Sequence, residues 1–490
     1  MNKLEKARDY ESKNVKKITS DERPLYHMTP AIGWMNDPNG FSVYQGEYHL
    51  FYQYYPYDTK WGEMHWGHYK TKDFLKWEIL PAALAPDEAY ESGCFSGSAL
   101  EREDGKHLLM YTAHLEEGEE EKTIIETQCI AIGDGIDYVK YEENPVIQEE
   151  DLPEDFCVCD FRDPKIWKTE DKYYAICANR AEDGAGQLLL FSSEDAMKWK
   201  YEKTLERCFY EYGDMWECPD YFELENKDIF VISPMNMKAK DLEFHNGHSV
   251  IGMIGTLDKE SWSYKREQVQ NLEYGLDFYA PQTVLTPDGR RVMIGWMQSW
   301  ASSTFPPEKN QWFGMMTVPR ELTLKDGRIY QNPVRELLSY RQDPVIYENI
   351  DLQETLELDG VSGRTIDFTT EVDFSCSESK YFTMKIAADD RYYSLISFDV
   401  EKESLTVDRT YSGVHHDIVN MRTFPAYLKN GKLKLRVLLD RFSVEVFVND
   451  GEQAFSMTLY HTPMSADKIV FGSEKKVKMN VEKYAIITNE

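Results

Sequence analysis

At 490 residues the chain is longer than one hydrophobic core ordinarily serves, so two domains are expected. The formal net charge of -31, from 55 Lys and Arg against 86 Asp and Glu, argues against nucleic acid and anionic membranes as partners and favours a neutral ligand. Aromatic residues at 13%, with 32 Tyr and 11 Trp, suit a β-rich fold and equally a carbohydrate binder, because flat rings meet the C–H faces of sugars.

Residues 1–23 are mostly charged or polar (Lys3, Glu5, Lys6, Arg8, Asp9) and read as a surface extension with a short helix. They hold no apolar run of the kind a secretion signal needs. No window is long and apolar enough to span a bilayer, so a cytoplasmic protein is expected. The eight cysteines are scattered, only Cys157-Val158-Cys159 lying close, and are expected as free thiols.

Trp34-Met35-Asn36-Asp37-Pro38-Asn39-Gly40 comes next. Pro38 drives Asp37 toward extended backbone, and Asn39-Gly40 permits an immediate turn. A stiff turn would then present the Asp37 carboxylate at the edge of an aromatic hairpin, residues 41–44 and 47–54. An ordinary surface turn is the bland alternative.

Apolar, aromatic-rich strands are predicted at 48–53, 107–113, 173–180, 229–235 and 291–297, starting about sixty residues apart. A second echo trails them: Thr71-Lys72-Asp73-Phe74-Leu75-Lys76-Trp77, then Ser193-Glu194-Asp195-Ala196-Met197-Lys198-Trp199, more faintly Leu257 to Trp262, with Gly133-Asp134-Gly135 in the corresponding place. Five such units predict a five-bladed β-propeller, and no helix-length amphipathic segment interrupts residues 30–325.

Two further acids open repeat units. In Arg162-Asp163-Pro164 an acid again precedes a proline, with Arg162 placed either to bond a ligand's hydroxyls or to hold Asp163 ionised. In Trp216-Glu217-Cys218-Pro219 the apolar neighbours would raise the Glu217 pKa, as a general acid requires. Propeller units converge on a central channel, where Asp37 and Glu217 would meet. Two carboxyls in opposed protonation states are what glycosidic cleavage needs.

Residues 333–344 read as a linker with a short helix. Beyond it Leu433, Leu435 and Val437 alternate with Lys432, Lys434 and Arg436, a half-buried strand, and Asn449-Asp450-Gly451 turns the chain. The expected division is an extension (1–23), a propeller (24–332), the linker, and a β-sandwich (345–490), in which residues 437–455 look structural.

Trp34 to Gly40, Phe95-Ser96-Gly97-Ser98, Arg162-Asp163-Pro164, Trp216-Glu217-Cys218-Pro219 and Asp277-Phe278-Tyr279-Ala280-Pro281-Gln282 resemble, in order and spacing, the motifs of family 32 of the glycoside hydrolases, the β-fructofuranosidases. The resemblance implies a propeller with a retaining mechanism on sucrose, sucrose 6-phosphate or short fructo-oligosaccharides. It makes Asp37 the nucleophile, Glu217 the acid and base, and Asp163 a stabiliser of the transition state. It puts Asn36, Gln53, Trp61, Phe95, Ser96, Arg162, Tyr279 and Trp296 in the sugar pocket and Trp34 and Cys218 in its wall. No metal or cofactor is implied. A fructosyltransferase, an inverting arabinosidase or xylosidase, and a non-catalytic sugar binder are the competing readings. His65 with His68, and His245 with His248, have metal-like spacing but are expected as loop or rim residues. Trp300 and Trp312 are expected in core or rim packing.

Overall fold

The computed structural model describes residues 1–118, 122–300 and 310–488. Between residues 33 and 333 the strands form five antiparallel sheets. Blade I comprises Gly33–Tyr44, Glu47–Tyr55, His65–Thr71 and Glu78–Leu84, and blade II Gly93–Glu101, His107–Glu117, Thr123–Gly133 and Tyr138–Lys140. Blade III comprises Phe161–Lys168, Tyr173–Arg180, Gly186–Ser193 and Lys200–Arg207. Blade IV runs Met215–Leu224, Lys227–Met235, Ile251–Asp258 and Ser263–Asn271, and blade V Tyr279–Leu285, Arg291–Trp296, Arg320–Lys325 and Arg328–Pro333.

The first strand of each blade packs on the first strands of its neighbours, and the ring closes from blade V to blade I. This is the five-bladed propeller. The strands that revealed the period are the second strands of the five blades. Trp312–Phe313, inside blade V, pairs in parallel with Gly33 and Trp34 and fastens the closure. The trailing echo is an Asp-capped turn between third and fourth strands. One oxygen each of Asp73, Asp134, Asp195 and Asp258 accepts from two backbone N–H groups just ahead.

The inner strands are irregular at one shared place. Each shifts register against its partner by an extra residue: at Asn36-Asp37, Ser96, Asp163-Pro164, Cys218-Pro219 and Ala280-Pro281. Proline has no N–H for the ladder, so a bulge is where it is tolerated. Asp163, Cys218 and Ala280, each directly before a proline, adopt φ of +62°, +46° and +49°. Bulges re-aim side chains, here into the mouth of the channel. The expected reversal at Asn39-Gly40 does not form. Gly33–Tyr44 is one strand, bent by a second register shift between Asn39 and Ser42. Gly40 sits there at φ +53°, where a Cβ would lie 2.6 Å from the Phe51 ring.

The N-terminal extension is docked, which corrects the surface reading. Its helix Lys3–Asn14 is capped by Asn2, gives the N–H groups of Lys3 and Leu4 to Asp87, and buries Glu11 against Ala82 N. No helix among the described residues is long and apolar enough to cross a membrane.

After a 3-10 turn, Arg335–Tyr340, the remaining strands form a β-sandwich. Two long strands, Arg341–Leu356 and Lys468–Ile486, pair along their length and serve both layers. Lys468–Ile486 meets Tyr381–Ala388 with its first half and Ile366–Asp373 with its second. Ser443–Val448 is structural as expected, though its Glu445 is charged and buried. Glu445 accepts from Arg320 Nη2 (2.6 Å) and Val318 N (2.8 Å), while His27 lies between Asp440 (2.8 Å) and Glu445 (3.0 Å). Arg320 also reaches Glu273 at 2.9 Å.

Burial alone would push the His27 imidazole down, but its two carboxylate partners outweigh that and raise it to about 9. Burial opposes ionisation of Asp440 and Glu445 too; His27 and Arg320 nonetheless hold them below their usual range. Stability from His27 is therefore complete below its unfolded value of 6.5 and lost as pH rises through 9, whereas that from the two acids is lost on acidification. Tm should fall steadily between pH 6.5 and 9. In His27→Gln, Tm should be lower at pH 6 and nearly flat over that interval; an equally steep alkaline decline in the variant would remove His27 as the cause.

Candidate active site

A cavity of about 330 Å³ opens where the inner strands begin. Blade I lends it Asn36, Asp37 and Gln53, blade II Phe95 and Ser96, blade III Arg162 and Asp163, and blade IV Glu217. The three acids chosen from sequence thus share one cavity, brought there by bulges on three different strands.

Asp37 is half-buried in the cavity floor, with its Oδ1 shielded from solvent. Its Oδ2 accepts from the Cys218 thiol at 3.7 Å, and Oδ1 has no hydrogen-bond partner among the described residues. Burial, then the charges of Glu217 and Asp163, push its carboxyl up to about 8. Asp163 gives its N–H to Thr112 Oγ1 (2.9 Å), and its Oδ2 accepts from Cys218 N (2.9 Å) and the Cys218 thiol (3.6 Å). Burial raises it to about 7; Arg162 opposes the shift and Glu217 adds to it.

Glu217 departs from expectation. It does not lie among apolar side chains: Oε1 accepts from Arg162 Nε (3.1 Å) and Nη2 (3.0 Å), and Oε2 from the Tyr279 hydroxyl (2.7 Å). Successive strand residues face opposite sides, so Trp216 enters the core of blades III and IV, where its indole donates to Tyr212 O. Sequence neighbours are therefore not spatial neighbours here. The acids that burial raises are Asp37 and Asp163.

Arg162 is the hub. Beyond Glu217 it donates to Glu126 Oε2 (3.1 Å) and Asp160 Oδ1 (2.7 Å). No bond to Asp163 accompanies these. Thr112 and Gln128 support the floor: Thr112 donates within reach of Ser96 O and Gln128 Oε1, and Gln128 Nε2 donates to Phe161 O (2.8 Å).

Aromatic residues form one side. Trp61, 47% exposed, stands at the rim edge-on to Phe95, which stacks on His114 with ring centroids 4.0 Å apart. Trp34 binds Asn36 Oδ1 through its indole N–H (2.7 Å) and stacks on Trp300. Trp300, not Trp296, reaches the cavity wall. Trp296 is fully buried one layer behind, because it pairs with Tyr279 inside the blade V sheet while Trp300 follows that strand's end. Tyr279 and Cys218 touch the acids from beneath, Trp34 backs the wall, and Trp312 is core. His114, Ile124, Glu126, Cys159 and Asp160 complete the lining and were not singled out from the sequence.

The histidine pairs do not gather. His68 shares a hydrogen bond with His49 (2.9 Å) and stacks on Phe51, His65 meets Glu63 O, and His248 rests edge-on against Tyr279.

If neighbouring carboxylates hold the proton on Asp37, removing one should release it. In Asp163→Asn, the 13C shift of the Asp37 carboxyl should titrate clearly below the wild-type midpoint near 8. An unchanged midpoint would leave burial and Glu217 as the causes.

Residues 27–333 match the model of the glycosyl hydrolases family 32 N-terminal domain, and residues 336–487 that of the family 32 C-terminal domain. A sucrose-6-phosphate hydrolase of Zymomonas mobilis is 35% identical over 473 residues, covering 92% of this chain and 88% of that protein. A raffinose invertase of Escherichia coli is 34% identical, with 89% of each chain covered. Among solved structures, a β-fructofuranosidase of Bombyx mori is 33% identical with a TM-score of 0.85, covering 99% of this chain and 98% of that one; a mutant of it has been solved with sucrose.

Proposed function

The chain belongs to glycosyl hydrolase family 32, and on that premise we propose that it hydrolyses the terminal β-D-fructofuranosyl bond of sucrose with retention of configuration. One observation carries the reading: a buried, unbonded oxygen of Asp37 in a cavity whose facing carboxyl, Glu217, is fixed from both sides by Arg162 and Tyr279.

Asp37 Oδ1 attacks the anomeric carbon of the fructosyl unit while Glu217 gives a proton to the departing glucose oxygen. The covalent fructosyl ester is then opened by water, whose proton returns to Glu217. Asp163, anchored by Cys218 N and Thr112, accepts from fructose hydroxyls and offsets the positive charge that develops on the ring. Arg162, bound to Glu217, Glu126 and Asp160, sets the direction of the acid. Phe95 and Trp61 offer flat faces to the sugar. Burial and its neighbours hold a proton on Asp37 up to about 8, and the reaction needs that proton on Glu217 once sucrose is bound. Free-enzyme kcat/KM should therefore be bell-shaped, its alkaline limb near the value of about 8 at which Asp37 gives that proton up.

Five acidic side chains line the cavity (Asp37, Glu126, Asp160, Asp163 and Glu217), and Arg162, engaged by three carboxylates, is its one Arg or Lys among the described residues. That supports a neutral leaving group: kcat/KM for sucrose should exceed that for sucrose 6-phosphate by about tenfold or more. The eight free cysteines support a reducing, cytoplasmic setting, and the division at 1–23, 24–332, 333–344 and 345–490 accompanies this reading.

Asp37→Asn should lose on the order of 10⁴-fold in kcat yet still bind sucrose by calorimetry. Glu217→Gln should lose about 10²- to 10⁴-fold on sucrose and far less on a fructoside with a p-nitrophenolate leaving group, which needs no proton. NMR should find β-fructofuranose as the first-formed anomer. An α-anomer would remove Asp37 as nucleophile.

A further inference from the structure

Resting on that reading, we propose that Cys157 and Cys159 form an oxidation-sensitive dithiol at the rim of the active site, whose closure to a disulfide suppresses turnover. The two thiols lie on the 3-10 turn Val158–Asp160 with Sγ atoms 2.7 Å apart, both partly exposed. Residues two apart on so tight a turn need little backbone movement to bond. The sulfurs would close to about 2.05 Å.

The turn is wired to the chemistry. Cys159 and Asp160 line the cavity, and Asp160, next in sequence, accepts a hydrogen bond from Arg162, the cation that fixes Glu217. Asn179 clamps the turn at both ends, its Nδ2 donating to Cys157 O (2.9 Å) and Asp160 O (3.0 Å). Strain introduced between those two clamped points falls on the Asp160 side chain. A displacement near 1 Å of a group that positions an acid is enough to cost one to two orders of magnitude in rate. Cys177 and Cys208, by contrast, are buried in blade cores, and Cys376 is solitary and exposed on the sandwich.

With a peroxide the chemistry balances. The Cys157 sulfur attacks one peroxide oxygen, the O–O bond breaks, and a sulfenic acid and one water result. The Cys159 sulfur then attacks that sulfur, the S–O bond breaks, and a second water leaves. Two thiols are oxidised by two electrons and one peroxide is reduced. Burial, the Cys157 thiol and Asp160 push the Cys159 thiol up to about 11, which disfavours it as the first nucleophile.

The test treats the whole enzyme with hydrogen peroxide and follows two readouts: the mass of the peptide carrying both cysteines, and kcat/KM for sucrose. A loss of two hydrogens from that peptide, a fall of about tenfold or more in kcat/KM, and recovery of both with dithiothreitol are expected. Cys157→Ser should match the wild type before treatment and resist the oxidant. Absence of the disulfide, a disulfide with unchanged kcat/KM, or an equal loss in Cys157→Ser would overturn the proposal. An enzyme inert toward sucrose before any oxidant would instead count against the hydrolase reading, and the mass readout would still report on the thiols.

Discussion

The structure turns on how few cations serve many buried acids. At the active site one guanidinium, Arg162, is shared by Glu217, Glu126 and Asp160, while Asp163 is held by the Cys218 N–H and thiol and Asp37 accepts from that same thiol. At the junction with the sandwich Arg320 likewise serves Glu445 and Glu273. Burial and neighbouring carboxylates push Asp37 and Asp163 above their usual range, and a proton held where a reaction needs to spend it is the resource of a glycosidase. The net charge of -31 thus has a local counterpart at the site itself.

Geometry turns this crowding into a defined arrangement. A regular inner strand would send alternate side chains up and down the channel wall. Inserting one residue at the same level of each blade breaks that alternation where the cavity lies, and three of the five insertions contain a proline, which has no N–H to give the ladder. The left-handed backbone of Asp163 and Cys218 costs free energy at each residue. Bonds made by those same residues offset it: Asp163 N–H to Thr112, and Cys218 N–H to Asp163. Strain and site are held by one network.

This accounts for what the sequence disclosed and what it hid. The five-fold period was legible because second strands are buried on both faces and so run apolar, as in Ile229 to Ser233. The acids were legible because proline marked them. The surroundings of Glu217 were not, since a reading by neighbours assumes that adjacent residues share an environment, and a strand denies it: Trp216 goes to the core while Tyr279 and Arg162, 62 and 55 positions away, become the contacts. Trp296 and Trp300 were exchanged for a similar reason. Both belong to one aromatic cluster with Trp34, and only the end of a strand decides which of them faces the cavity. The docked helix was hidden because its burial falls on Ala7 and Glu11, residues that carry no hydrophobic signature.

The sandwich, which lacks acids of its own in the cavity, still reaches the chemistry by a short path. Thr458 gives both its N–H (2.7 Å) and its hydroxyl (2.8 Å) to Asp277 Oδ2, where Arg409 also binds. Two residues on from Asp277 stands Tyr279, whose hydroxyl grips Glu217. Phe278, between them, lies under the guanidinium of Arg320, the cation of the junction. The entry of the blade V inner strand is therefore held by the second domain at Asp277 and by Arg320 of the same blade at Phe278, two positions and one position before Tyr279. A propeller blade open at that edge would leave Tyr279 free to follow Glu217 instead of fixing it. The second domain thus completes the wall from which the acid is aimed.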